Sequence, residues 1–319
     1  MRSSTFTIAA LASLATAQRP TNTSICDYYT PALLKENTAA NQKTVLTLLV
    51  NTVVIGNYTQ PNANISVAGI LAPGTFNNTK VNLLPYFNGN LKSSNRGGMN
   101  GTSVNFLDDG GAAPLMNNMP SNGNTTSNQY LLLTHLYGYF GSLLGCSMMN
   151  STAFPAYTGS TNMYAVHKFM DLNPYELGYF ITQIGTAAAS FGVAKADVEL
   201  VGASLNKAFG YRCSPAAAIP PTAQPELQSM CIDASCPLAD NSTCPAYSPV
   251  TAPMFVNGTV YDAAGGNPNG NATSPTNQSN GTTTGSGSAS SGSATGAGSQ
   301  VQATVGSIVA GLAFAMYMA

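Results

Sequence analysis

The six cysteines of this 319-residue chain restrict its folding more than any other feature, and they lie at positions 26, 146, 213, 231, 236 and 244. An even number of cysteines predicts a disulfide framework in a chain that folds in an oxidising compartment. Six cysteines allow fifteen pairings, and the sequence does not choose between them. Four of them lie at or after Cys213, which predicts that disulfides fasten a Pro-rich extension, residues 213–245, to the preceding domain. No histidine accompanies Cys231, Cys236 and Cys244, so disulfides are favoured over a metal site.

The first residues have the three regions of a secretory signal peptide. Arg2 is followed by an apolar run from Phe6 to Leu14 and then by the small residues 15–17. Such a segment directs a chain into the oxidising secretory pathway and is then removed. The apolar run is well short of the roughly 20 residues that cross a bilayer. A signal peptide over residues 1–17 is therefore favoured over a membrane span.

Glycosylation offers an explanation for the low charge of this sequence. Charged residues make up 7% of the chain, whereas ordinary soluble domains carry roughly 25%. Asn-X-Ser/Thr acceptors occur at Asn22, Asn57, Asn64, Asn77, Asn100, Asn124, Asn150, Asn241, Asn257, Asn271, Asn277 and Asn280. N-glycans are bulky, neutral and solubilising, and this density of acceptors is typical of a secreted eukaryotic protein. The net charge of -1 and the lack of a basic run exclude an electrostatic nucleic-acid interface.

The C-terminal residues predict attachment to a membrane through a lipid. Beyond residue 245 the composition changes to Gly, Ser, Thr, Asn and Pro, which predicts a disordered, glycosylated stalk over residues 246–298. Residues 299–319 form an apolar tail without a positive flank, preceded by small residues from Ser290 to Gly298. This order predicts the signal for a glycosylphosphatidylinositol (GPI) anchor, whose tail is removed. The alternative, a single-pass tail anchor, is disfavoured because the tail is short and interrupted by glycines. We therefore expect the protein on the plasma membrane or in the cell wall.

The body of the chain, residues 18–212, has the patterning of an all-α domain with long loop insertions. Residues 41–55 are apolar over a length that favours a buried helix. Residues 57–80 and 88–127, which are rich in Asn, Gly and Pro, are predicted to be loops. Further helices are predicted over residues 128–144, 162–170, 175–191 and 195–209. No convincing strand remains.

The chain contains two histidines, His135 and His167, and both fall on predicted helices. Apolar side chains at helical spacing predict a buried face in the first of these helices, made of Leu132, His135, Leu136, Tyr139, Phe140 and Leu143. Each histidine has the alternative of being a hydrogen-bonded core residue. Two imidazoles do not complete a zinc site without acidic or thiolate ligands. Haem iron needs only one or two axial histidines in an apolar pocket, so haem is the metal cofactor that the sequence accommodates best.

The spacings around His167 resemble those of a known family, the truncated haemoglobins of the first group. Tyr157-Thr158-Gly159 is followed by Met163-X3-His167 and later by Gly192-Val193. This order is similar to the part of the family that runs from the loop before the proximal-histidine helix to the start of the last helix. The resemblance covers residues 129–209 and is patchy before them. It implies a globin-like helical domain in which His167 is the proximal ligand of haem iron.

The resemblance also implies roles for residues before that segment. His135, followed by Gly145, is similar to the distal helix and its glycine terminus, where some members place a second iron-binding histidine. The sequence Leu-Leu-Pro-Tyr-Phe over residues 83–87 is similar to the turn whose second aromatic packs on the haem. Val50 and Leu136 occupy places where the family carries polar side chains that hold oxygen, so tight oxygen binding is not expected. The implied cofactor contacts are Phe87, Leu132, His135, Leu136 and His167, with iron bound by His167 and His135.

Three functions from different classes are consistent with these features. The first is a GPI-anchored, haem-binding surface protein with both histidines on the iron, acting in electron transfer, haem capture or gas and redox sensing. The second is a haem-dependent peroxidase or nitric oxide dioxygenase, which the apolar distal helix disfavours because such enzymes use polar groups beside the iron. The third is a non-catalytic, glycosylated wall or adhesion protein whose globin-like core has no cofactor. We expect the first.

Overall fold

The computed structural model of the protein describes residues 18–59, 64–259 and 261. The predicted signal peptide, the GPI signal and most of the predicted stalk lie outside the described residues. Within these residues, no helix combines the length and the apolar character that would let it cross a membrane.

Most of the regular structure in the described part of the chain is helical. The α-helices, in chain order, are α1 (Ile25–Leu34), α2 (Ala39–Ile55), α3 (Leu84–Phe87), α4 (Ala112–Met116), α5 (Asn128–Leu143), α6 (Met163–His167), α7 (Pro174–Ser190) and α8 (Lys195–Phe209). Single 3₁₀ turns cover Asn95–Gly97 and Cys244–Tyr247. The four longer predicted helices are confirmed as α2, α5, α7 and α8, whereas α6 ends three residues before the predicted position 170.

Two small antiparallel hairpins correct the prediction that the fold is all-α. Strands β1 (Gly74–Phe76) and β2 (Thr79–Val81) pair with Gly74 opposite Val81, and β3 (Ala217–Ala218) pairs with β4 (Pro225–Glu226). Asn77 and Asn78 form the turn of the first hairpin, and both have positive φ, which two-residue hairpin turns often require. Strands β1 and β2 have three residues each, which is too short to show a clear alternation of apolar and polar side chains. The composition of residues 57–80 therefore indicated a loop.

Helix α2 lies at the centre of the helical domain. It packs against α1, α4, α5 and α7, and α7 packs in turn against α8. Its side chains are buried around most of its circumference, including Leu46, Val50, Val53 and Val54. A helix that is apolar on all sides has to be enclosed by other elements. The two helix pairs, α2 with α5 and α7 with α8, are therefore joined through the contact between α2 and α7.

The loop that precedes α5 is fastened to the start of that helix. The carboxylate of Asp108 accepts hydrogen bonds from the backbone N–H groups of Asn128 at 3.1 Å and Gln129 at 2.9 Å. Both donors lie in the first turn, where backbone N–H groups have no partner within the helix. Asp108 therefore caps α5 and connects the insertion to the domain.

Parts of residues 246–259, together with Tyr261, contact the helical domain, although they fall within the predicted stalk. The backbone N–H of Lys92 donates to the carbonyl of Met254 at 2.7 Å. Tyr261 is 2% exposed, and its ring lies edge-on to that of Tyr86, with 5.8 Å between the centroids. The average composition indicated disorder, but a few aromatic side chains provide enough apolar contact to order this part of the segment.

All six cysteines form disulfides, as predicted: Cys26–Cys146, Cys213–Cys244 and Cys231–Cys236. The expectation that disulfides fasten the extension to the domain is wrong, because the last two bridges join cysteines within residues 213–245. Backbone hydrogen bonds hold the extension instead, from Ile232 N–H to the Leu172 carbonyl at 3.1 Å and from Cys231 N–H to the Phe209 carbonyl at 3.0 Å.

Removal of Cys26–Cys146 should destabilise the domain more than removal of Cys231–Cys236. The first bridge joins residues 120 positions apart and the second joins residues five positions apart. Since a disulfide restricts the unfolded chain more when it closes a longer loop, replacing Cys26 and Cys146 with Ala should lower the free energy of unfolding by about 2–5 kcal/mol. Chemical denaturation of both double-Ala variants checks this. Equal losses would contradict the loop-length explanation.

Candidate functional site

His167, the last residue of α6, has an imidazole whose hydrogen bonding favours metal ligation. Its Nδ1 lies 2.8 Å from the backbone carbonyl oxygen of Met163, one helical turn earlier. Because a carbonyl only accepts, we infer that Nδ1 carries the proton and that Nε2 has the free lone pair. Nε2 has no hydrogen-bond partner among the described residues. Histidines that bind metals commonly donate their second N–H to a backbone carbonyl, which orients the ring and raises its basicity.

The surroundings of His167 keep its imidazole neutral. Burial lowers the pKa of His167 below its ordinary value of 6.5, and the hydrogen bond to Met163 opposes this effect. Protein encloses the ring, yet part of the residue stays accessible. A neutral imidazole is the form that binds a metal.

Helix α6 is short and is held in place from two sides. The side chain of Asn162 accepts from Ala165 N–H at 2.8 Å and so caps the start of the helix. The same side chain donates to the carboxylate of Glu226 in the extension at 2.9 Å. From the other side, the Asn95 amide donates to the Ala165 carbonyl at 3.1 Å. The position of His167 therefore depends on the extension and on the 3₁₀ turn Asn95–Gly97.

His135 does not lie on the buried face of α5, which corrects the predicted face. The buried line of the helix contains Gln129, Leu133, Tyr137 and Phe140, whereas His135 is exposed and lies about 160° around the helix from Leu133. Of the predicted face, Tyr139 and Phe140 are buried, and Leu132, Leu136 and Leu143 are half-buried. Apolar residues cover much of the circumference of α5, so their spacing alone did not select the face.

A buried polar residue, Gln129, accounts for part of that error. Its amide oxygen accepts from Gly111 N–H at 3.0 Å, and its amide nitrogen donates to the carbonyls of Gly111 at 2.9 Å and Pro120 at 3.1 Å. With these partners Gln129 is fully buried at a position that a hydrophobic pattern assigns to solvent.

His135 lines a surface groove of about 300 Å³ together with Lys43, Tyr130 and the segment 154–158. Its ring lies edge-on to the ring of Tyr157, with 5.9 Å between the centroids. Burial and, to a lesser extent, the positive charge of Arg96 lower the pKa of His135. His167 does not line this groove.

A second, apolar cavity lies among α1, α2, α7 and α8. Its volume is about 60 Å³, well below the roughly 300–1,000 Å³ of a typical small-molecule site. None of the predicted cofactor contacts lines this cavity. The two cavities therefore do not bring His135 and His167 together.

The remaining predicted contacts are half-buried apolar side chains. Phe87 on α3 and Leu132 and Leu136 on α5 pack at the margin of the main core, as do Val166 and Met170 on either side of His167. The core leaves part of each of these side chains uncovered.

Glu176, which is fully buried in the first turn of α7, was not predicted from the sequence as a functional residue. Tyr86 donates a hydrogen bond to its carboxyl group at 2.8 Å. The available signal was the spacing Asn173-X2-Glu176, a capping box in which each side chain accepts from the backbone N–H of the other residue.

No family model, no curated protein and no solved structure matches this chain. Across the described ranges there is also no group of three or more His, Cys, Asp or Glu side chains that could hold a metal ion. A haem iron is held mainly by the porphyrin and needs only one or two protein ligands, so it does not require such a group. The resemblance to truncated haemoglobins stays a prediction.

The protonation of His167 can be measured directly. We expect ¹⁵N-detected NMR of the haem-free protein to give the tautomer with hydrogen on Nδ1, since only that tautomer donates to the Met163 carbonyl. The pKa obtained from the same titration should lie below 6.5, because burial disfavours the charged ring. A dominant Nε2–H tautomer would contradict the assignment.

Proposed function

We propose that the protein binds haem and that His167 is the axial ligand supplied by the chain. The observation that carries this proposal is the hydrogen bond between Nδ1 and the Met163 carbonyl, which leaves Nε2 free. The donor set suits iron, because the imidazole is neutral and is held in one orientation by its hydrogen bond. The bound haem would supply an iron centre that exchanges electrons or small ligands.

The order of the helices supports the proposal. A helix with His135, a short helix ending at His167 and two long packed helices follow one another as α5, α6, α7 and α8. This is the order that the resemblance to truncated haemoglobins implies for residues 129–209. The two hairpins and the packed C-terminal segment are additions outside that order.

The half-buried apolar residues near α3, α5 and α6 would complete the site. Phe87, Leu132, Leu136, Val166 and Met170 would contact the porphyrin and keep water from the iron. The Met163 carbonyl would keep the His167 ring in one orientation while Nε2 binds. The resemblance puts Leu132 and Leu136 on the distal side of haem, where they would provide no polar group, so electron transfer, haem capture or sensing is favoured over peroxidase or dioxygenase chemistry.

The proposal does not use His135 as a second ligand. Its side chain is exposed, and its ring contacts Tyr157 in a groove that His167 does not line. Binding both imidazoles to one iron would require α5 or the segment 154–158 to move. We therefore propose a site with one protein ligand, which differs from the bis-histidine site implied by the resemblance.

Haem titration of His167→Ala and His135→Ala tests this assignment, and each variant is the matched control of the other. The unmodified protein should develop a Soret band when ferric haem is added. His167→Ala should weaken binding by more than the roughly 10–100-fold that loss of a ligand's hydrogen-bond partner costs. External imidazole should restore part of the spectrum.

His135→Ala should keep both the affinity and the spectrum. Absence of a Soret band with the unmodified protein would overturn haem binding. Equal losses in the two variants would overturn the assignment of His167 as the single ligand.

A second candidate is a glycosylated surface protein whose domain acts without a cofactor. Every acceptor asparagine among the described residues is exposed, namely Asn22, Asn57, Asn64, Asn77, Asn100, Asn124, Asn150, Asn241 and Asn257. The two buried asparagines of the described ranges, Asn51 and Asn173, are not followed by an acceptor sequence. This distribution supports N-glycosylation, and the three disulfides are consistent with an extracellular location.

Glycan release tests the second candidate. The protein secreted from a eukaryotic host should lose mass when its N-glycans are removed enzymatically, because the exposed acceptors can carry sugar. Peptide mass spectrometry should locate the converted asparagines among the nine exposed positions. An unchanged mass would contradict glycosylation, whereas the absence of a Soret band on haem addition to the same protein would favour the second candidate over the first.

A further inference from the structure

Three acidic residues lie near one another where the extension joins the helical domain. Asp171 lies between α6 and α7, Glu176 lies in the first turn of α7, and Asp233 belongs to the extension. The charges of Asp171 and Asp233 both act on Glu176. We call these three residues the carboxyl cluster. In residues 18–59, 64–259 and 261, no lysine or arginine forms an ion pair with any of them.

Glu176 is the buried centre of the cluster. Its carboxyl accepts hydrogen bonds from the Tyr86 hydroxyl at 2.8 Å and from the Asn173 backbone N–H at 3.0 Å. Burial raises the pKa of Glu176 to about 7, and the charges of Asp171 and Asp233 act in the same direction. The two hydrogen bonds oppose the shift without cancelling it. Deprotonation therefore places a charge in a site that has no cation to balance it.

Asp171 adds a second acidic group with an incomplete set of partners. Its Oδ1 is buried and has no hydrogen-bond partner, and its backbone has a φ of 48°. Burial, helped by the charge of Asp233, raises the pKa of Asp171 to about 6. A protonated Asp171 carries no charge at this buried position, so the arrangement is more stable in acid.

The residues around the cluster belong to the segments that attach the extension and Tyr261 to the helical domain. Ile232 and Asp233 both donate their backbone N–H to the Leu172 carbonyl, at 3.1 and 3.3 Å. Tyr86, the donor to Glu176, also donates to the Met170 carbonyl at 3.2 Å and packs edge-on against Tyr261. The groups facing Glu176 are thus Tyr86 from α3, Asp171 from the α6–α7 connection, Asp233 from the extension and, through Tyr86, Tyr261.

We propose that the carboxyl cluster is a pH-sensitive latch, which holds the extension and Tyr261 on the helical domain in acid and loosens them when Asp171 and Glu176 ionise. Both raised groups bind protons more tightly in the closed state than in the open state. Protonation of Asp171 and Glu176 stabilises the closed state fully at a pH below their ordinary pKa values. This stabilisation is lost as the pH rises through about 6, the raised pKa of Asp171, and about 7, the raised pKa of Glu176. The latch acts in the protein without haem and does not depend on the proposed iron site.

Hydrogen exchange followed by mass spectrometry tests the latch in the full-length protein. The exchange rates are first corrected for intrinsic exchange. The opening equilibrium constant of the backbone amides in peptides that cover residues 228–236 and 252–261 should then increase with pH between about 4.5 and 7. A single titrating group gives up to about tenfold per pH unit. Peptides from α2 should show a smaller change, because the latch does not involve that helix.

The double variant Asp171→Asn/Asp233→Asn should reduce this pH dependence by removing one titrating group and the charges around Glu176, and Glu176→Gln should reduce it further, because burial keeps the pKa of Glu176 raised in the double variant. Asp240→Asn is the matched control, since Asp240 is an exposed acid of the same extension. Glu176→Gln provides a second variant if the double variant does not fold. The proposal would be overturned by exchange that does not vary with pH, by equal increases in α2, or by a control variant that flattens the profile as much.

Discussion

The burial of α2 from Leu46 to Val54 is the constraint on which the rest of the fold depends. A helix with apolar side chains around its circumference cannot contact water on any face without losing hydrophobic stabilisation, so four other helices have to surround it. Asn51, one of its buried polar residues, is satisfied by these neighbours: it donates to the Leu115 carbonyl at 3.1 Å and accepts from the Tyr137 hydroxyl at 2.6 Å. Burial requires the surrounding helices to be close, and these hydrogen bonds fix how α4 and α5 meet α2.

The position of His167 depends on contacts outside that core. An isolated five-residue helix is not stable in water, because its few hydrogen bonds do not repay the loss of chain entropy. Helix α6 persists because Asn95 contacts it on one side and the extension contacts it on the other, through Glu226 and through the Leu227 carbonyl that accepts from Tyr164 N–H at 3.1 Å. The extension is thus part of the structure that orients the histidine. The two disulfides within the extension restrict the conformation of the segment that contacts α6.

The sequence predicted the elements that depend on long-range patterning and failed where individual contacts decide. The apolar content of α2 was sufficient to locate that helix, and the pattern of residues 175–191 located α7 to within one residue at each end. The face of α5 was not predictable, because the hydrogen bonds of Gln129 with Gly111 and Pro120 involve residues that are distant in sequence. For the same reason His135 was expected in the core and lies outside it. His167 was located by its spacing from Met163, but its tautomer follows only from the distance between two atoms.

The first hairpin gives Asn77 an unusual setting for a sugar. The ring of Phe76, one residue before it, occupies space on α7 that a side chain at Gly178 would fill. The turn therefore cannot swing away without withdrawing an aromatic ring from a fitted contact. A glycan on Asn77 would leave the protein along a fixed direction, and its branches would cover a defined cone of solvent beside α7. Sugars on acceptors in loosely attached loops would sweep wider and less predictable volumes.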